Sequence, residues 1–439
     1  MILLLSDTIT PRLQYIADFI FKENFGVDYS ITTNKKKFEE SNAIKINYTE
    51  DQYFEGVINV RGSRLLFEKK IHKQNIETFE ANGATAFFKN ERGIGDFPFD
   101  IFSATFYLLS RYEEYLPHIE DKYGRYDHQQ SLASTNGFLK IPLVNKWLEY
   151  FARYLQSKFA GFQIKKKTFN FLPTYDVDMA FEWRHKGFIR NIGQLLTLLI
   201  QQDYKKISEA FKILGGKIKD PSDNFNFFDK LHEKLNLHPA YFFLVSKNNT
   251  KYDKNISPLK SEMKALIQRL AKKNEIGIHP SYYASQEEKM LKEEKFLLEE
   301  IAGKTIQKSR QHYLRFNLPG TYRRLAEAGI KEEYSMGYGT INGFRASYTN
   351  SFFWYDIERE EKTNLIVHPF CYMDSNIIFH QKLTPEESFE ELMYFYNTCK
   401  NVNGTFIIIM HNHLLCDNDL ELRNVYEQFL LKTNEQINV

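Results

Sequence analysis

The spacing of apolar and polar positions changes character near residue 165. Before it, apolar runs are short and irregular. Ile2-Leu3-Leu4-Leu5 reads as a buried strand. Residues 8–24 read as a helix, with Thr10 as cap before Pro11 at the first helical position. Strand-like pieces recur at 44–48 and 56–60. The densest aromatic stretch, 97–115, predicts a core helix whose polar end, Arg111-Tyr112-Glu113-Glu114-Tyr115, reaches the surface. A further helix is predicted over 142–158.

After residue 168 the pattern alternates. Strand candidates are 169–175, 240–245, 275–278, 308–314, 363–370 and 405–410, with helices between them, notably 257–273 and 287–301. Alternation of this kind implies a parallel sheet or barrel with right-handed crossovers. Residues 179–222 are too long for one crossover and contain an amphipathic run, 188–200. That run reads as a lid, as a wall for a ligand, or as a helix covering one end of the barrel.

Several strands end in residues that carry chemistry. Phe171-Leu172-Pro173-Thr174-Tyr175-Asp176-Val177-Asp178 ends in two carboxylates, which share one side of an extended chain. In parallel sheets that end is where ligands bind. Glu275-Ile276-Gly277-Ile278-His279-Pro280 ends in a histidine, and neutral imidazole suits Zn²⁺. In Ser309-Arg310-Gln311-His312 an extended chain puts Arg310 and His312 on one face. Arg310 there favours the charged form of a carboxylate, and His312 is a candidate third ligand. Thr405-Phe406-Ile407-Ile408-Ile409-Met410-His411-Asn412-His413 is a wholly apolar strand that runs into a histidine suited to general acid work. Each motif alone also has a plainer reading: a capping turn, a structural histidine, a solvated edge strand, a pair of packing histidines. Their convergence on one rim matches metal-assisted hydrolysis.

Composition narrows the class. The 439 residues exceed one ordinary domain, and 43% hydrophobic and 15% aromatic residues suffice for large cores. A formal charge of +2 gives no electrostatic case for nucleic acid. Cys371, Cys399 and Cys416 have no CxxC spacing and suggest a reducing compartment. The N-terminal apolar run is too short for a signal peptide, and no segment approaches a membrane span. The expectation is a soluble cytoplasmic protein.

The motifs together resemble the polysaccharide deacetylase family, the NodB-homology carbohydrate esterases, over roughly residues 169 to 415. Thr174-Tyr175-Asp176-Val177-Asp178 is similar to the first motif of the Asp-x-Asp branch. The resemblance implies Asp176 as base and Asp178 as metal ligand, His279 as a metal histidine, Arg310 as the arginine that tunes the base, and His411 as general acid. Asp374, after Phe370-Cys371-Tyr372-Met373, takes the place of the residue that orients that acid. Residues 319–330 resemble the helix after the arginine motif. The family's second motif usually reads His-x-x-x-His, whereas position 283 is Tyr283; His312 is the first choice for the missing ligand. The N-terminal stretch looks like an uncharacterised domain that precedes such esterases in a bacterial subgroup.

The resulting expectation is an α/β protein: a small N-terminal α/β domain, 1–165, docked through its aromatic helix beside a distorted (β/α) barrel of the deacetylase type, 166–439. The implied activity is removal of N-acetyl groups from an amino sugar or glycan with one divalent cation, Zn²⁺ first. The alternatives are hydrolysis of a non-sugar C–N bond by the same apparatus, and a non-catalytic glycan-binding protein.

Overall fold

The computed structural model describes residues 1–90, 95–416 and 420–435. In a first sheet, β1 (Ile2–Ser6), β2 (Tyr29–Thr32), β3 (Ile44–Tyr48) and β4 (Ile58–Asn59) run parallel in the order β2-β1-β3-β4. The apolar β1 is buried along its whole length, as a strand covered on both faces must be. A small hairpin, β5 (Phe79–Ala81) and β6 (Ala84–Ala86), turns at Asn82 and Gly83, both at positive φ. The helix after β1 starts as its sequence dictates: Thr10 accepts from the Leu13 amide and Pro11 is its first residue. It stays α-helical only to Ala17 and continues as a π-helix over Asp18–Phe25.

The aromatic stretch does not form one helix over 97–115. An α-helix spans Ile101–Leu109, with all nine residues buried, and a 3₁₀ turn follows over Tyr112–Tyr115. The break is at Arg111, whose φ is +55°. Its guanidinium turns inward, donating to Glu113 and Glu114 (both 2.7 Å) and to the Arg345 carbonyl. The expected polar end is therefore buried, because it meets charged partners inside the protein.

The second sheet carries β7 (Asn170–Val177), β8 (Ala240–Phe243), β9 (Glu275–Ile278), β10 (Lys308–Ser309), β11 (Glu332–Glu333), β12 (Phe352–Asp356), β13 (Glu361–Val367), β14 (Tyr372–Met373) and β15 (Thr405–His411). Their order is β12-β13-β11-β10-β9-β8-β7-β15-β14, parallel except for the β12–β13 pair. Ala240 and Phe242 on β8 and Ile407 and Ile409 on β15, near one end of the order, pack with Tyr334 and Phe370, which follow β11 and β13 near the other end, and with Met373 on β14. The sheet therefore curls around an apolar cluster of its own. Among the described residues no ladder joins β12 to β14, so the large mixed sheet is not closed by hydrogen bonding into the expected barrel.

The two sheets lie against one continuous core. Tyr355 packs on Tyr15 and Phe106 (centroids 4.8 and 5.3 Å), and Asn145 donates to Thr349 Oγ1 at 3.0 Å. Glu114 accepts from Arg345 at 2.6 and 2.8 Å as well as from Arg111, all three side chains being buried. Burial works against the Glu114 charge, but the Arg345 and Arg111 guanidinia hold its carboxyl down at about 2. Residues 162–169, where the first sheet's chain passes to the second, form neither helix nor strand.

Candidate active site

The register of β7 against its neighbours builds the floor of the site. Asp176 pairs with His411 on β15 and with Phe242 on β8, so base-type and acid-type side chains leave the sheet side by side. Asp178 lies one residue beyond β7. The loop there is fixed by Asn255, which donates to the Val177 and Leu244 carbonyls and accepts from the Ala180 amide, and by Asn412, which donates to the Met179 carbonyl at 3.0 Å. His279 follows β9 directly, and its amide donates to the Phe243 carbonyl at 2.9 Å.

The approach to Arg310 and His312 differs from the sequence expectation. The strand over 308–314 ends at Ser309, and His312–Leu314 form a tight turn in which Tyr313 and Leu314 take φ of +58° and +51°. Strand alternation therefore does not align the two side chains; the turn does. Arg310 reaches Asp176 Oδ1 at 2.8 Å and the Tyr334 carbonyl at 3.1 Å, with its guanidinium 4.3 Å above the Phe242 ring. Gly277 makes room for that ring: a Cβ there would sit 2.5 Å from it. The turn brings His312 Nδ1 to 3.0 Å from His279 Nε2 and 3.5 Å from Asp178 Oδ1.

The protonation of these rings follows from what faces them. His279 Nδ1 lies 2.6 Å from the Arg310 carbonyl, which only accepts, so Nδ1 carries a proton and the neutral ring presents a lone pair at Nε2. His312 Nε2 faces the Tyr252 carbonyl at 3.3 Å, which leaves Nδ1 in the same condition. These two lone pairs face each other and Asp178 Oδ1, which is 3.1 Å from His279 Nε2, buried, and without a hydrogen-bond donor. Three acceptors turned inward repel unless a positive charge stands between them. The ligand atoms of Asp178, His279 and His312 lie within 4.8 Å of one another. Donors bound to one Zn²⁺ at ~2.0–2.2 Å would stand about 3.3–3.5 Å apart in a tetrahedron, close to what these pairs show. The residues therefore fit a divalent cation. Burial would raise the Asp178 carboxyl; with no cation between the groups, protons on the facing rings, His312 first, then His279 and His411, take its place and hold that carboxyl well below the usual carboxylate range.

On the other side of the cluster, His411 Nδ1 bonds Asp374 Oδ1 at 2.6 Å, while Asp374 Oδ2 accepts the His411 amide. His411 Nε2 is 4.0 Å from Asp176 Oδ2 and 3.7 Å from Asp178 Oδ2. Burial opposes an imidazolium here, but Asp374 first, then Asp178 and Asp176, push His411 up to about 10. Burial, and after it the neighbouring His411 charge, presses His413 down to about 4, so its ring is neutral where it lines the site. Asp176, Asp178, His279, Arg310, His312, Asp374 and His411 are thus brought together at one end of the sheet. Tyr283 is exposed and contributes no ligand atom to the cluster.

Residues 2–160 match a family of unknown function, DUF7033. No curated protein matches the chain. Among solved structures it is similar to a putative polysaccharide deacetylase from Mycobacterium smegmatis, at 14% identity over 62% of this chain and 85% of that one, with a TM-score of 0.40. An allantoinase is similar at 11% identity over 70% and 92%, with a TM-score of 0.38. A pseudoenzyme of the CE4 family from Bacillus anthracis is similar at 9% identity over 62% of each chain, with a TM-score of 0.32.

A cavity of about 530 Å³ opens above these side chains. Part of its lining comes from the first 165 residues: Lys122, Tyr123 and Arg125. Arg125 donates to the Tyr313 carbonyl at 2.8 Å, and Arg315 donates to the Tyr123 carbonyl at 3.1 Å. No sequence pattern marked these residues, nor Asp253, which lies 3.8 Å from His312 Nε2 and accepts the Tyr282 amide. None stands at a strand end, the one signal that marked the others.

Proposed function

We propose that the chain is a metal-dependent hydrolase of amide bonds, with an N-acetylated amino sugar or glycan precursor as its substrate. One observation carries this reading. Three inward-facing ligand atoms on Asp178, His279 and His312 are flanked by a carboxylate on one side and a carboxylate-bound histidine on the other. Asp178, His279 and His312 would hold the cation, with Zn²⁺ the best match to two imidazoles and one carboxylate. When bound, it supplies a Lewis acid for the acyl oxygen and lowers the pKa of water.

The protein's own groups do the rest. Asp176 takes the proton from water as the oxygen adds to the acyl carbon. Arg310, at 2.8 Å, keeps that carboxylate charged and fixes its position. His411 gives its proton to the nitrogen as the C–N bond breaks, and Asp374 holds the ring for that transfer. Acetate and a free amine are the products. Tyr123, Tyr252 and Tyr313, which line the cavity, offer flat apolar faces to a ring-shaped substrate.

The test is acetate release by zinc-loaded protein from N-acetylglucosamine oligomers, beside acyclic N-acetyl amines and acyclic ureides, the ureides being scored by the ammonia they release. One bound cation per chain and release from the sugars support the reading. Release confined to acyclic substrates moves the activity to a non-sugar C–N bond. Sugar binding without release on any substrate makes the protein a glycan binder.

A further inference from the structure

Most of the segment between Asp178 and β8 stands apart from the cavity. Ahead of a helix in the main core, Phe225–Leu235, it forms two helices, Phe188–Ile200 and Tyr204–Leu214, that pack on each other around Trp183, Leu198, Ala210 and Ile213. Among the described residues, Met179 alone of 179–222 lines the cavity, so the helices are not its wall. Their small cluster is satisfied from within, yet they leave large apolar side chains in water. Phe188 is 80% exposed, Ile189 86% and Ile200 82%, with Leu196, Leu199, Tyr204 and Phe211 more than half exposed. At 3.6 residues per turn, Phe188, Ile192, Leu196 and Leu199 lie in one row, with Ile189 and Ile200 beside it. The first helix is thus apolar toward solvent as well as toward its partner.

Charge says what covers this face. Residues 184–219 hold eight Lys and Arg against two Asp and Glu, in a chain whose net charge is only +2. Lys205, Lys206, Lys212, Lys217 and Lys219 are all exposed. A second copy meeting the same face would bring like charge against like charge. An apolar stripe flanked by lysines instead matches an anionic bilayer surface, where aliphatic side chains enter the acyl boundary and lysines meet headgroup phosphates. Helices of 13 and 11 residues are too short to span a bilayer. The pair is tied to the cavity rim: Arg190 donates to the carbonyls of Lys254 (2.5 Å) and Asn255 (3.1 Å), and Lys254 lines the cavity.

We propose that the helix pair 188–214 docks the protein on an anionic membrane surface beside the mouth of its cavity. The claim is independent of the catalytic reading, because it is tested without substrate. The full chain is sedimented with phosphatidylcholine vesicles and with vesicles that also contain phosphatidylglycerol, at low and high salt. Two variants accompany it: Ile189→Glu with Ile200→Glu, and Lys205→Gln, Lys206→Gln and Lys212→Gln together. All five positions are exposed, and a melting curve checks that each variant is folded. Binding to the anionic vesicles alone is expected, lost at high salt. The triple lysine variant should bind about a hundredfold more weakly, at roughly a tenfold loss for every one to two lysines near the surface. The glutamate variant should not bind. Four results overturn the proposal: no sedimentation with anionic vesicles at low salt; unchanged binding by the glutamate variant; retention on heparin without vesicle binding, which points to a soluble polyanion; and a dimer in solution that Ile189→Glu dissolves.

Discussion

Two stretches ten residues apart break the rule of apolar inside and polar outside in opposite directions. At Asp178 the chain buries charge among Asp176, His279, His312 and His411; from Phe188 it exposes a row of aliphatic side chains. The costs differ in kind. A buried charge without a partner is strongly destabilising, so Arg310 stands behind Asp176 and Asp374 behind His411, and the inward-facing atoms of Asp178, His279 and His312 call for a cation. Exposed aliphatic groups forgo burial without straining the fold, and so nothing in the protein compensates for them. The first stretch shows its purpose by its partners inside the molecule, the second by having none there.

The strongest way to break the comparison is to remove a member of the buried group. His279→Ala should lower bound zinc from one per chain toward none and abolish acetate release, and exhaustive chelation of the unaltered protein should do the same. Elemental analysis beside the activity assay checks it. Retention of a full equivalent of zinc by His279→Ala would remove His279 from the ligand set.

Asp176→Asn separates chemistry from cation binding. On the proposed reading it keeps the shape and the zinc but loses the base, and should lower turnover by ~10²–10⁴-fold with zinc content unchanged. A variant that loses the zinc as well would make Asp176 a ligand.

How much of this was open to reading follows from the same contrast. Asp176, Asp178, His279 and His411 stand where apolar strands stop, a pattern visible in one dimension. The path to His312 was not visible. Its strand ends at Ser309, and Tyr313 and Leu314 adopt positive φ without a glycine or asparagine to mark the turn. Whether the sheet closes was not legible either, because ladders as short as Lys308–Ser309 and Glu332–Glu333 carry little periodicity. The Arg111–Glu114–Arg345 network was hidden for another reason: Glu114 and Arg345 are 231 residues apart in sequence. A polar helix end reads as a surface feature until its partner is known.

That network gives a smaller and purely structural effect. Glu114→Gln leaves the buried Arg345 guanidinium without its carboxylate, while Arg111 keeps Glu113, and should cost about 3 kcal/mol in urea unfolding, with zinc binding retained. The pH dependence has a definite sign. The Glu114 carboxyl titrates near 2 in the folded chain against an ordinary value of 4.5, so the unfolded chain binds the proton more readily. Its contribution, on the order of 3 kcal/mol, is present above pH ~4.5 and fades as the pH falls toward 2. The same acid limb should be shallower in Glu114→Gln.

The smallest effect belongs to the exposed row. Ile189→Glu with Ile200→Glu should change unfolding free energy by no more than about 0.5 kcal/mol per site, since neither side chain is buried against the protein. Leu198→Ala, two residues before Ile200 on the same helix, is the control. It removes a buried member of the small cluster with Trp183, Ala210 and Ile213, and should cost about 2–5 kcal/mol where that pair melts with the rest of the chain. A pair of neighbouring substitutions with such unequal costs would show that the inner face of the helix is held by the fold and the outer face is not. If the glutamate variant proves as unstable as Leu198→Ala, the outer row is packed in solution, and the contrast with the buried charges disappears.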